Sequence, residues 1–295
     1  MTRRVLAIAN PISGRGRAKA LAPEIARRAK DAGVEVEIRY TDHAGHGREL
    51  AAQAAAQGFD GLLGFGGDGT LNELVNGMQA RPMPLAIVPL GTANVLAKEV
   101  GARRDPGHVA RALARWRVIA RDLGRLDNGR LFTCFVGAGF DGECTRALKS
   151  RTKAIRMSSY LPIMWRAVMR GDFRGIRVRC GNDQRVGHFA LCAITPCYGG
   201  PIELTSGARP DDGHFEVLTV HEPVTPMALV KMLVYAFLRA MRALPSARFS
   251  EAASVMIDAP ACDRPVPVQV DGDYAGELPV RCESLPGALQ LIDPR

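Results

Sequence analysis

Three times within the first third of the chain, a short aliphatic run stops at a polar turn carrying glycine. Val5–Ala9 leads into Asn10-Pro11-Ile12-Ser13-Gly14-Arg15-Gly16, Gly61–Phe65 into Gly66-Gly67-Asp68-Gly69-Thr70, and Leu85–Val88 into Pro89-Leu90-Gly91-Thr92-Ala93-Asn94. Between these runs lie stretches of helical spacing at Ala18–Ala32, Gly47–Gln57 and Leu71–Met78, with one more strand-like run at Val34–Tyr40. Strands that alternate with helices are joined by crossovers and run parallel, so the pattern predicts βαβ units. In an open parallel sheet, the turns that follow the strands all emerge at the carboxyl edge, where ligands bind. Three glycine turns on one rim therefore predict a single site.

The pattern changes near Arg121. Leu131–Val136, Ile176–Cys180, His188–Thr195, Glu216–Val220, Ala253–Asp258 and Pro267–Val270 read as short strands separated by Gly, Pro and Asp turns, which predicts an antiparallel β domain. Helical insertions at Thr145–Met169 and Thr225–Leu244 interrupt it. The fold class is α/β plus β: residues 1–123 form the α/β domain, residues 124–287 the β-rich domain, and residues 288–295 a C-terminal strand free to return to the first.

Bulk properties narrow the function classes. The 295 residues are 47% hydrophobic and 23% charged, as in globular proteins, and the net charge of +9 favours a polyanionic partner. Aromatic residues make up only 6%, which argues against single-strand binding by base stacking, and no specific nucleic-acid motif is present. The seven cysteines form no CxxC, and their odd number reads as reduced thiols in a cytoplasmic protein. The N-terminal apolar run breaks at Asn10-Pro11, too early for a signal peptide, and no uninterrupted apolar stretch could span a bilayer. The expected location is the cytoplasm, with peripheral contact at the inner face of the membrane.

Glycines at 66, 67 and 69 let a ligand approach the main chain, and the following helix offers free N–H groups to phosphate. Asp68 is unusual beside phosphates unless a divalent cation bridges them or it handles a proton. Thr70 and Glu73 also have capping-box spacing, so two readings of the turn stand. The trio Asn10-Pro-x-Ser-Gly14, Gly66-Gly-Asp-Gly-Thr-Leu-Asn-Glu73 with Asn76-Gly77, and Pro89-x-Gly-Thr-x-Asn94 resembles the nucleotide site of the diacylglycerol kinase catalytic family, which includes bacterial lipid kinases and sphingosine and ceramide kinases. The resemblance implies a Rossmann-like first domain of the NAD-kinase/phosphofructokinase kind and an antiparallel β-sandwich second domain. It implies ATP held by Asn10, Thr41, Gly66, Gly67, Asp68, Gly69, Thr70, Leu71, Asn72, Glu73, Thr92 and Asn94. Thr41 is equally a turn cap on this reading, and Asn94 is equally a brace for the Gly66–Thr70 turn. One departure is Val95, where many members that phosphorylate diacylglycerol carry Asp.

Two acidic turns lie in the second half. Gln269-Val270-Asp271-Gly272-Asp273 resembles the turn that supplies the family's general base, which makes Asp273 or Asp271 the catalytic partner of Asp68; Asp-Gly is also a common hairpin signal. Arg209-Pro210-Asp211-Asp212-Gly213-His214 resembles the family's structural Mg²⁺ turn, which implies Asp212 with the carbonyls of Arg209 and His214 as ligands. No histidine pair has zinc-ligand spacing.

In Thr225–Leu244, Lys231, Tyr235, Arg239 and Arg242 make one narrow polar stripe on an apolar helix. Thr145–Met169 is basic through Arg146, Lys149, Arg151, Lys153, Arg156 and Arg166, with Leu161, Met164, Trp165 and Val168 apolar. These segments read either as packed core with a solvated face or as a lipid-side face held electrostatically. The resulting expectation is an ATP- and Mg²⁺-dependent lipid kinase acting on a membrane lipid such as diacylglycerol. The alternatives are another lipid or polyol (phosphatidylglycerol, a sphingoid base) or NAD as acceptor, and a membrane-associated nucleotide-binding regulator without turnover. A homodimer is left open.

Overall fold

The computed structural model describes residues 2–149, 165–166, 168–169, 175–199, 202–260 and 264–295. The Lys149 side chain, Arg151, Lys153, Arg156, Leu161, Met164 and Cys262 lie outside the described residues. Two compact units divide the chain: Met1–Arg121 with Gly287–Arg295, and Asp122–Pro286.

The first unit is built on parallel strands β1 (Arg3–Ala9), β2 (Val34–Tyr40), β3 (Gly61–Gly66) and β4 (Leu85–Pro89), in the spatial order β2-β1-β3-β4. The end of the last strand, β18 (Val280–Ile292), adds alongside β4 through Leu291 and Leu85. Helix α1 (Arg17–Asp31) forms because Ala18, Ala22, Ile25 and Ala29 recur on one face. That face packs with Val109, Ala112 and Leu113 of α5 (Pro106–Arg115) over Val5, Ala7 and Phe65 of the sheet. Helices α2 (His46–Ala54) and α3 (Asp68–Gly77) pack on each other, and Leu71 and Leu74 of α3 lie so close to Gly64 that a Cβ there would meet Leu74 at 2.8 Å. A short α4 (Val95–Glu99) follows β4. The strand order reverses at β1, so the loop after β1 leads to α1 and the loop after β3 to α3. Such a switch point opens a crevice at the carboxyl edge.

The second unit begins within β5 (Val118–Leu126), which pairs with β6 (Leu131–Phe132). Then follow β7 (Phe135–Gly139), α6 (Phe140–Lys149), β8 (Ile176–Cys180), β9 (Asp183–Gly187), β10 (Phe189–Ala193), β11 (Cys197–Gly199) and β12 (Ile202–Glu203). After them come β13 (Phe215–Val220), α7 (Pro226–Phe237), β14 (Ala247–Ala252), β15 (Ser254–Asp258), β16 (Pro267–Val270) and β17 (Asp273–Glu277). One antiparallel sheet runs β14-β13-β10-β7-β16-β17, and a second carries β15 between β8 and the start of β18. Val136, Ala190, Val217 and Val268 of the first sheet share a core with Val178, Val255, Ile257 and Cys282 of the second. The α/β-plus-β-sandwich expectation holds.

Candidate active site

Four loops start side by side at the carboxyl edge of the parallel sheet. The Thr41 N–H bonds Ala9 O at 3.0 Å, the Asn10 N–H bonds Phe65 O at 3.2 Å, and the Leu90 N–H bonds Gly66 O at 2.8 Å. These bonds bring Thr41, Asn10, Gly66–Asp68 and the Gly91–Asn94 turn together. Gly67 and Gly91 touch through their main chains: a Cβ on Gly67 would meet Gly91 Cα at 2.9 Å, and one on Gly91 would meet Gly67 Cα at 2.5 Å. Neither position admits a larger residue without moving the other loop.

Helix α3 starts at Asp68 rather than near Leu71, which corrects the expected boundary. Gly67, in extended conformation, is its N-cap residue, and Asp68 at the first position complements the helix dipole. Thr70 thus lies inside the helix, and the Thr70–Glu73 capping box does not form. Glu73 instead caps a different helix, accepting the N–H groups of Gly45 at 2.9 Å and Gly47 at 3.1 Å at the start of α2. Asp68 likewise reaches across to accept the Val95 N–H at 2.7 Å, at the start of α4. Asn94, at φ 48°, braces its own turn with Gly91, donating and accepting at 2.8 Å, rather than bracing the Gly66–Thr70 turn.

The expected nucleotide residues therefore separate into two sets. Gly66, Gly67, Asp68, Gly69, Thr70, Thr92 and Asn94 belong to the rim loops or the first turn of α3. Asn10 Oδ1 accepts the Ile12 N–H at 3.1 Å, which shapes its loop and leaves Nδ2 without a partner among the described residues. The Thr41 hydroxyl caps nothing among the described residues. Leu71, Asn72 and Glu73 have other work: Leu71 is core, Asn72 is buried and accepts from Asn76 Nδ2 through its main-chain and side-chain oxygens at 2.9 and 3.2 Å, and Glu73 is the cap just described.

In the second unit, β16 and β17 join through the two-residue turn Asp271-Gly272, with φ of 51° and 87°. Positive φ at both positions fits the right-handed twist of a hairpin. The Asp271 carboxylate is fully committed: one oxygen accepts the Thr133 N–H at 2.8 Å and its hydroxyl at 3.1 Å, and the other accepts the N–H groups of Cys134 at 2.9 Å and Phe135 at 3.0 Å. Asp273 is exposed at the start of β17.

Sequence reasoning missed the neighbouring group. Asp141, buried in the first turn of α6, accepts from the Tyr198 hydroxyl and from Gln269 Nε2 at 2.7 Å, and Gln269 Oε1 accepts the Gly272 N–H at 2.7 Å. Burial pushes the Asp141 carboxyl up to about 6 against the pull of those two donors. A Cβ on Gly137 would sit 2.1 Å from Asp141 Oδ2, so glycine is required there. No local signal marks this set, because Tyr198 and Gln269 are far from Asp141 in sequence.

The turn expected to bind Mg²⁺ is held by buried Asp122, whose N–H bonds Pro210 O and whose carboxylate accepts the Gly213 N–H, both at 2.7 Å. Asp212 is exposed; Oδ1 accepts the His214 N–H at 2.9 Å, and Oδ2 has no partner among the described residues. The Asp212 carboxylate and the carbonyls of Arg209 and His214 are hard oxygens of the kind that Mg²⁺ accepts. No cluster of three or more His, Cys, Asp or Glu side chains suited to a metal exists among the described residues, so most remaining ligands would be water.

Comparison with known proteins covers both units. The profile of the diacylglycerol kinase catalytic domain matches residues 4–126, and that of the YegS C-terminal NAD kinase beta sandwich-like domain matches residues 134–293. A protein of Mycobacterium tuberculosis named diacylglycerol kinase is 29% identical over 99% of this chain and 96% of its own length. One of Bacillus subtilis with the same name is 27% identical over 99% of this chain and 97% of its own. A crystal structure from Bacillus anthracis superposes with TM-score 0.82 at 21% identity, covering 99% of this chain and 95% of that one, a likeness of fold.

Proposed function

Because the chain belongs to the diacylglycerol kinase family, and is by that membership a lipid kinase, we propose that it moves the γ-phosphate of ATP to a hydroxyl of a membrane lipid of the diacylglycerol type. The observation that supports this reading best is the close approach of Gly67 to Gly91 beside the N-terminus of α3, which no side chain among the described residues caps. Two bare main chains and a helix dipole make a cradle for phosphate that tolerates no side chain. Asn10 Nδ2 and the hydroxyls of Thr41 and Thr92 would orient the nucleotide.

Phosphoryl transfer needs little covalent help from protein; alignment and charge carry it. The attacking hydroxyl still needs an acceptor for its proton. We assign that role to Asp273, since Asp271 has its acceptor capacity taken by four donors. Asp68 would face the nucleotide's Mg²⁺, and Asp212 with the carbonyls of Arg209 and His214 would hold a structural one; bound Mg²⁺ would neutralise phosphate charge. Val95 is buried and apolar, so it supplies no second carboxylate beside Asp68. This departure is why the acceptor panel includes phosphatidylglycerol and a sphingoid base along with diacylglycerol.

The test is transfer of labelled γ-phosphate from ATP/Mg²⁺ to that panel in mixed micelles, with Asp68→Asn as the control. Asn still accepts the Val95 N–H, so the start of α4 is preserved while the charge is lost. A labelled lipid that disappears with Asp68→Asn is the expected result. Near wild-type turnover by the variant removes Asp68 from the mechanism; no product from any lipid, with ATP still bound, favours a regulatory protein.

A further inference from the structure

Helix α7 keeps an apolar side toward solvent, and of the expected polar stripe only Lys231 and Tyr235 fall within it; Arg239 and Arg242 follow the helix, with side chains 67% and 52% exposed. Lys231 Nζ lies 3.5 Å from Glu222, Arg239 pairs with Glu203 at 3.2 Å, and Arg242 reaches the buried Glu216. Leu229 and Ala236 face the core. On the outer side Met227, Val230, Val234, Phe237 and Leu238 are 74%, 48%, 49%, 74% and 67% exposed. Their spacing of three, four, three and one puts all five on one stripe. A contiguous exposed patch of large apolar side chains marks an interaction face rather than chance exposure.

The neighbouring element extends the patch. Val168 packs into the same small core as Leu229, Phe140 and Cys144, while Trp165 and Met169 beside it are 51% and 63% exposed, with Arg166 also exposed. Tryptophan and arginine beside aliphatic side chains suit the boundary between headgroups and acyl chains. From Pro226 to Leu244 the chain has no carboxylate, and its three charges are all positive. Arg166, Arg239 and Arg242 stay exposed beside the patch, so a second copy of this face would bring like charges together, whereas an anionic leaflet would meet them with opposite charge.

We infer that the outer face of α7, together with Trp165 and Met169, is a membrane-docking surface that seats its apolar side chains in an anionic lipid leaflet. The inference rests on the reading that the acceptor is a bilayer lipid, and it names the surface by which the enzyme reaches that lipid. Because Lys231, Arg239 and Arg242 each already pair with a glutamate, apolar insertion carries most of the binding and salt weakens it only in part.

The test is co-sedimentation of the full chain with phosphatidylcholine vesicles, with and without phosphatidylglycerol, at low and high salt. Both Met227 and Phe237 are mostly exposed, so Met227→Ser with Phe237→Ser leaves the core intact. The expected result is tighter binding to the phosphatidylglycerol vesicles, substantial retention at high salt, and a loss of at least about tenfold in the double variant. Activity on a short-chain acceptor dispersed in detergent stays at the wild-type level. Unchanged vesicle binding by the double variant overturns the docking surface, and so does a wild-type dimer that the variant converts to monomer without loss of vesicle binding. Failure of the kinase reading looks different: neither protein makes labelled lipid from any acceptor, whatever the vesicles show.

Discussion

The two carboxylates of the Asp271-Gly272-Asp273 turn show how one methylene-scale choice is made by hydrogen bonds. In sequence they are equivalent candidates for the base; in the structure Asp271 accepts four donors from Thr133, Cys134 and Phe135, and Asp273 is exposed. A carboxylate that fills its lone pairs with main-chain N–H groups is a staple, and taking a proton there would cost those bonds. Asp271→Asn turns one acceptor oxygen into a donor aimed at other donors. It should lower unfolding free energy by about 3 kcal/mol in urea titrations. Asp273→Asn should move the urea midpoint less than Asp271→Asn does and lower kcat by about 10²–10⁴-fold, the usual worth of a general base. If instead Asp271→Asn abolished turnover at unchanged stability, the two roles would have to be exchanged.

At the element scale, helix α2 shows a cap supplied from a distance. Its N-cap residue is Gly45, at φ 88°, which has no side chain to accept an N–H. Glu73, one helix later, supplies the carboxylate. Glu73→Ala should cost about 1–2 kcal/mol of stability and Glu73→Gln less, because the amide keeps an acceptor but loses the charge. ATP affinity should stay the same in both, as titration with a fluorescent nucleotide would measure. A loss of ATP binding with unchanged stability would restore the expectation that Glu73 touches nucleotide. The sequence could suggest a cap from the Thr70–Glu73 spacing but not its target, because the packing of α2 on α3 is a tertiary fact. The same limit explains other differences. Strands β1, β3 and β4 were legible because their aliphatic runs are buried and glycine turns bound them, and β2 because its residues alternate. Strands β9, β14 and β17 were not, because each lies at a sheet edge, where polar residues such as those of Asp183–Gly187 and Asp273–Glu277 suppress further pairing. The periodicity of Thr225–Leu244 marked a polar stripe but not where the helix ends or which face looks outward: Leu229 and Ala236 turn inward, and the helix stops at Phe237, before Arg239 and Arg242.

For the stability of the whole molecule, the buried Asp141 matters more than the exposed charges that give the chain its net +9. Exposed ion pairs such as Arg27 with Glu24 are solvent-screened and contribute little. Asp141 is inside the second unit, and burial raises its carboxyl from the ordinary 3.8 to about 6. The folded protein therefore binds that proton more tightly than the unfolded chain, and linkage makes stability fall with rising pH between those values. Asp141's favourable contribution is complete below about 3.8 and is lost as pH rises through about 6, which amounts to about 3 kcal/mol at neutral pH. This direction is opposite to that of a salt-bridged carboxylate. Asp141→Asn keeps an acceptor for Gln269 Nε2 and a donor for the Tyr198 oxygen while removing the ionisation. Relative to wild type, the variant should gain stability from about pH 4 to about pH 7, by about 3 kcal/mol across that span. Urea unfolding of both proteins across that range measures the difference. Parallel profiles would mean that Tyr198 and Gln269 hold the carboxylate ionised in the fold at no cost. The same network positions Gly272 through Gln269 Oε1, so a rising wild-type kcat through the same pH window, absent in the Asn variant, would tie the Asp141 proton to the turn that carries Asp273.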